Sequence, residues 1–191
     1  MRRKVTRVPV ELDSRDVKDL SEEEIRIILR GADELIMSGG RGLLAKVLKG
    51  SRQKAVLEHK LDRSPVYGAL SDLSLVQITA RIDWLIIHNY LRIEYDYRLP
   101  LLVYSDRGWA IERETYADEL LERLDRLLAT GEAPLELDWL TEMNPDVLKR
   151  VLEIIGQRND AKYLPALKRW QKKASRRTGL WIREAIRAMD K

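Results

Sequence analysis

A mainly helical chain carrying one small β-hairpin is the fold class the sequence predicts, from three observations. Several segments repeat apolar residues at intervals of three and four behind capping residues, the helical signature. A single stretch, Leu91 to Tyr104, has the period-two and strand-like runs of a hairpin. The 191 residues are 45% hydrophobic and 35% charged, enough apolar surface for a core under a heavily solvated exterior. That length suits one compact domain plus a smaller unit.

The elements follow in order. Residues 1–20 mix charge with isolated valines around Pro9 and form an N-terminal arm of uncertain order. Ser21-Glu22-Glu23-Glu24 is a capping box, and Ile25, Ile28, Leu29, Ala32 and Ile36 continue it as a helix that the glycines of Ser38-Gly39-Gly40 should end. A short apolar segment, Leu43 to Leu48, closes at Gly50-Ser51 and leads to a second short helix through Val56 and Leu57. Pro65 and Gly68 mark a turn. Ser74 caps the next helix, whose Leu75, Ile78, Ile82, Leu85 and Ile86 share an apolar face while Gln77, Arg81 and His88 lie elsewhere. Asn89 ends it, and a hairpin turns near Asp96-Tyr97-Arg98. An amphipathic helix spans Arg113 to Ala129 and stops at Gly131. Three helices follow, opened by Asn144-Pro145, Asp160 and Thr178. The domains expected are an arm (1–20), a domain with flanking helices (21–130) and a basic helical unit (134–191), with the boundary near Thr130-Gly131-Glu132-Ala133-Pro134.

Composition narrows the chemistry. No cysteine is present, which excludes disulfides, thiolate metal sites and a cysteine nucleophile, and fits a reducing, cytoplasmic setting. Two histidines, His59 and His88, cannot build a multi-histidine zinc site. No apolar run approaches the ~18 residues of a membrane span, so no membrane contact is expected. The Gly39-Gly40-Arg41-Gly42 cluster lacks the lysine and hydroxyl residue of a nucleotide-binding loop. Glu58-His59-Lys60 matches part of a metal-nuclease motif, but in surroundings that read as helical. Neither an enzyme, a metal site nor a cofactor is expected.

The formal charge of +4 hides a segregation. Gly39 to Arg63 holds seven basic and two acidic residues, Asp106 to Glu153 six and thirteen, Arg158 to Lys191 eleven and three. Basic segments inside folded domains are candidate phosphate footprints, or simply solvated faces.

Helix, helix, turn, helix and hairpin between Arg41 and Tyr104 is the order of a winged helix. Within it, Gly40-Arg41-Gly42-Leu43-Leu44, Val47-Leu48-Lys49-Gly50-Ser51, Val66-Tyr67-Gly68, Asp72-Leu73-Ser74, Leu85-Ile86 and the hairpin from Leu91 to Ser105 resemble the RQC domain, the C-terminal winged helix of RecQ-type DNA helicases. The likeness runs from about Gly39 to Trp109 and looks like a stand-alone, minor bacterial RQC protein, since the chain is too short for motor lobes. It departs from the pattern at Ala69-Leu70, where a glycine is usual, at Ser71, where a basic residue is common, and at Ile78 and Asp83, where tryptophan and arginine often stand.

The resemblance implies binding of duplex, forked or branched DNA without ATP-driven unwinding, in repair or replication. Lys49-Gly50-Ser51 matches the family's phosphate clasp; lysine supplies charge, glycine lets a phosphate approach the backbone, and Ser51 donates. Arg41, Arg52 and Lys54 are candidate extensions. Ser71, Ser74, Gln77 and Arg81 are candidates on the third helix, with Ser74 readable equally as a cap. Tyr97 and Arg98 at the wing tip are placed to stack on a splayed base pair, or to pack on their own domain. Asn159 to Leu167 and Trp181 to Ala185 resemble a HEAT-type helical pair, whose basic surface suits DNA backbone or an acidic protein partner. An interaction adaptor that grips proteins with the same surfaces is the alternative function.

Overall fold

A computed structural model describes residues 6–130 and 137–189. The chain divides into two compact units between Glu112 and Arg113. That division falls inside a continuous helix, upstream of Thr130, and Gly131 to Pro134 lie outside the described residues. Nothing in the sequence between Arg107 and Ala129 marks it, because Gly108 is the only glycine there and no proline interrupts the run.

The first unit contains α1 (Glu22–Asp33), α2 (Arg41–Lys49), α3 (Lys54–Glu58), a 3-10 turn (Leu61–Arg63), α4 (Leu75–Ile87), β1 (Leu91–Asp96), β2 (Leu99–Tyr104) and the start of α5 (Asp106–Ala129). Both halves of the Ser21/Glu24 capping box form. The helix nevertheless ends at Asp33, before the expected glycines. The amide of Met37 donates to the carbonyl of Leu102 at 3.0 Å, and the Leu102 amide returns to the Gly39 carbonyl at 2.9 Å. The edge of β2 thereby captures backbone groups that a longer helix would have used internally.

Strands β1 and β2 pair antiparallel, from Leu91 opposite Tyr104 to Asp96 opposite Leu99. Tyr97 and Arg98 form the two-residue tip, with Tyr97 at φ +52°. The apolar face of α4 supplies Ile78, Ile82 and Leu85 to a core shared with Ile28, Leu29, Leu44 and Leu48, all fully buried. Each such side chain contributes roughly 1.5–3 kcal/mol on burial, so this layer fixes α4 against α1 and α2. Gly108 allows α5 to pass the hairpin: a Cβ there would lie 2.0 Å from the Tyr90 carbonyl oxygen.

The second unit holds the remainder of α5, a 3-10 turn (Asp138–Glu142), α6 (Pro145–Arg158), a 3-10 turn (Ala161–Tyr163), α7 (Leu164–Gln171) and α8 (Arg176–Met189). Asn144 caps α6 with Pro145 in its first turn. The last helix starts at Arg176 rather than Thr178, because the Ser175 hydroxyl accepts the Thr178 amide at 3.2 Å and so does the capping. Val151, Ile155, Leu167, Trp170 and Ile182 form its buried centre. At one side Asp125 accepts from the Tyr163 hydroxyl and pairs with Arg158 and Lys162, each at 3.1 Å.

Candidate nucleic-acid interface

The turn after α2 is built around two glycines. Gly50 (φ +75°) and Gly68 (φ +74°) cross so closely that a Cβ on Gly50 would sit 3.1 Å from the Gly68 α-carbon. The loop from Val66 is tied to α2, with the Gly68 amide donating to Val47 at 3.0 Å and the Leu70 amide to Leu48 at 2.9 Å. Gly50 is therefore required by the αL end of a helix and by backbone packing, whatever else it admits.

This crossing carries Ser71 to Lys49, whose Nζ donates to the Ser71 carbonyl. The Lys49 charge and the α2–α3 loop thus lie beside the segment leading to the N-terminus of α4, where unpaired amides give a partial positive charge. Ser51 is half-buried, and its amide donates to the Lys46 carbonyl at 2.9 Å. That amide closes α2, and the residue at the N-cap position of α3 is Gln53, which makes no side-chain capping bond, rather than Ser51. The Ser51 hydroxyl accepts the Gln53 amide at 3.3 Å and keeps its proton to donate. Arg52 is exposed and makes no ion pair among the described residues. Lys54, 84% exposed, pairs with Glu58 at 3.4 Å along the helix surface.

On α4, Ser74 and Gln77 cap each other reciprocally: the Gln77 amide reaches the Ser74 hydroxyl at 3.3 Å, and the Ser74 amide reaches Gln77 Oε1 at 2.9 Å. Both remain exposed, as does the Ser71 side chain. Arg81 is turned away to α1, its Nε donating to Glu24 Oε1 at 3.0 Å. Partial burial pushes the Glu24 carboxyl up, but the bonds from Arg81 and from the Ser21 amide and hydroxyl outweigh it and hold the group below its ordinary value.

Arg41 is also occupied. Its Nη1 lies 2.6 and 2.5 Å from the two oxygens of Asp83, a carboxylate with a side chain 2% exposed, which further accepts the Asp13 amide at 2.9 Å. Asp83, the residue standing where an arginine often occurs in the resembled family, is therefore the buried counter-ion of Arg41. A cavity of about 290 Å³ beside this pair is lined by Glu11, Asp13, Leu75, Val76 and Thr79. Its wall is partly apolar and carries charges of both signs, with Arg15 beside Glu11 and Asp13.

At the wing tip Tyr97 is 72% exposed, whereas Arg98 is held by the arm. Arg98 Nε donates to the Thr6 carbonyl at 3.0 Å, the Val8 amide to the Arg98 carbonyl at 3.1 Å, and the Tyr95 hydroxyl to the Val8 carbonyl at 2.9 Å. Arg7 lies over the Tyr95 ring at 4.8 Å. From Thr6 onward the arm is thus ordered along the wing and α4, where Trp84 Nε1 donates to the Lys18 carbonyl. The alternation of Thr6, Val8 and Val10 with Arg7 and Pro9 was the available signal for an extended segment. Sequence reasoning also passed over Lys60 and Arg63, exposed on the turn after α3 and unpaired with carboxylates among the described residues.

The family model of the RQC domain matches residues 13–120, more than half of the chain and including the arm from Asp13. No curated protein and no solved structure matches it. The RQC domain is a winged helix that typically binds DNA in RecQ helicases, and it is not a catalytic module. Among the described residues no helix is long and apolar enough to cross a membrane.

Proposed function

The chain belongs to the RQC domain family, and from that premise we propose that it is a non-enzymatic DNA-binding protein engaging duplex, forked or branched DNA mainly through the phosphate backbone. The observation that carries the reading is Lys49 reaching the Ser71 carbonyl, which sets the Lys49 charge at the end of α2 beside the segment that leads into α4. Lys49, Arg52 and Lys54 supply charge there, while Ser51, Ser71, Ser74 and Gln77 supply polar groups. Tyr97 offers an exposed ring for a splayed base. Arg41 and Arg81 serve the fold, and Arg98 joins the interface only where the arm gives way. A cytoplasmic place in DNA repair or replication follows from this reading.

A second reading, the protein-interaction adaptor, is favoured by one observation: the outward side of α4 carries exposed Leu75 and Val76 beside a pocket whose charged groups are of both signs.

Titration of labelled single-stranded, duplex, forked and junction DNA at several salt concentrations separates the two. A winged-helix footprint of ~5 phosphates contributes about −4 to −5 to the log–log salt slope, and the Lys49→Ala/Arg52→Ala variant should reduce its magnitude by about 2. A slope near zero, or a slope that this variant leaves unchanged, overturns the winged-helix interface.

A further inference from the structure

We propose that the outer face of α8, together with α7, is a second nucleic-acid backbone surface, separate from the winged helix. From Leu164 to Met189 eight basic residues stand against a single acidic one, Glu184. All eight are exposed.

Their arrangement follows the helix period. Arg176, Leu180, Arg183 and Arg187 recur at intervals of four, three and four and so share one face of α8. The opposite face, with Ile182, Ala185 and Met189, is buried in the unit. At ~1.5 Å per residue the three arginines span about 16 Å, roughly five nucleotide steps of one strand. Lys168 in α7 and Lys172, the C-cap one turn on, add to the same basic segment.

The contrast with the rest of the unit separates structural cations from available ones. Lys149, Arg150, Arg158 and Lys162 all pair with carboxylates, at 2.7 to 3.8 Å. Lys168, Lys172, Arg176, Arg183 and Arg187 make no ion pair among the described residues.

The surface fits a phosphate backbone better than other polyanions. A membrane-surface helix needs its apolar face toward lipid, and that of α8 is buried in the protein. A protein partner needs aromatic or apolar anchors, whereas this stripe offers only Leu180, and Arg177 covers the half-buried Trp181 ring at 4.7 Å. The choice of DNA as the polyanion rests on the proposed function; the surface itself does not. Covalent linkage to a DNA-binding winged helix raises the effective concentration of the second contact without any further interface.

The test uses the full chain with Arg176→Gln/Arg183→Gln/Arg187→Gln, and separately Lys168→Gln/Lys172→Gln. Glutamine keeps helix propensity near that of the residues replaced. Fluorescence anisotropy on duplex DNA between 50 and 200 mM salt should show the triple variant's slope smaller by about 2–3, with affinity lowered at least ~10-fold at 0.1 M. The α7 pair should remove about 1–2 from the slope, and melts must match the parent; should the triple variant fail to fold, the α7 pair decides. Unchanged slopes in folded variants overturn the proposal. So does lost binding to polyglutamate, or to vesicles rich in phosphatidylserine, with DNA binding intact. If Lys49→Ala/Arg52→Ala leaves the slope unchanged while the α8 variant lowers it, the winged-helix interface fails and this surface stands.

Discussion

Arg41 and Asp83 give the sharpest separation between a cation that binds and one that folds. The guanidinium is 27% exposed and its carboxylate partner 2%, with both carboxylate oxygens in contact. Arg41→Ala leaves a buried carboxylate with, among the described residues, the Asp13 amide as its remaining donor, a change that costs about 3–5 kcal/mol. At ~2–4 °C per kcal/mol for a chain of this size, the melting transition should fall by roughly 6–20 °C. Asp83→Asn should cost less, about 2–3 kcal/mol, since the stranded guanidinium can rehydrate through its exposed edge. The paired variant Arg41→Met/Asp83→Leu should recover most of either loss, as a double-mutant cycle by calorimetry would show. In DNA titrations of folded Arg41→Ala the salt slope should stay that of the parent, because the Arg41 charge is already neutralised by Asp83. The reasoning fails if Arg41→Ala melts within ~2 °C of the parent while its slope drops by about 1.

Three other outcomes are expected. Ser74→Asp keeps a good cap and suits the helix dipole, so it should melt like the parent yet weaken DNA binding about 5-fold by placing an anion at the α4 N-terminus; unchanged affinity would place the phosphate elsewhere. Gly50→Ala forces a Cβ onto Gly68 in a left-handed backbone and should lower stability by at least ~1–2 kcal/mol in denaturant unfolding, a loss that a merely permissive glycine would not show. Because the folded Glu24 carboxyl titrates below its ordinary 4.5, its bond to Arg81 contributes fully above that pH and is lost as pH falls through the lower folded value; melts of Glu24→Gln should therefore decline less steeply below about pH 4.5 than those of the parent.

Local structure was legible where its cause lies within a few residues. The Ser21/Glu24 box, the Ser74 cap, Asn144-Pro145 and the turn at Tyr97 each depend on side chains no more than three positions apart, and each stands where the sequence reading put it. The end of α1 did not, because Leu102, from a strand far along the chain, takes the backbone groups of Met37 and Gly39. The candidate interface divides on the same line. Lys49, Arg52 and Ser71 remain accessible, while Arg41 and Arg81 are claimed by Asp83 and Glu24, 42 and 57 positions away. A cation's sign is visible in sequence, but its counter-ion is chosen by the packing of α4 against α1 and α2, and no local pattern contains that choice.

The arm shows how the same argument reaches beyond ion pairs. Arg98 was a natural wing-tip ligand by charge and position, yet its guanidinium rests on the Thr6 carbonyl and its own carbonyl receives the Val8 amide. These are surface hydrogen bonds, each with a net value of about 1 kcal/mol, far below the several kcal/mol that leaving buried Asp83 unpaired would cost. The two arginines therefore differ in kind. Arg41 is committed to the fold, whereas Arg98 is held by contacts that a phosphate, itself a charge-assisted acceptor, can match. Deleting residues 1–8 should accordingly leave the melting transition within a few degrees of the parent and strengthen DNA binding through the wing; a large loss of stability, or affinity that Arg98→Ala no longer lowers in the truncated chain, would make the arm a structural strand of the wing rather than a competitor for it.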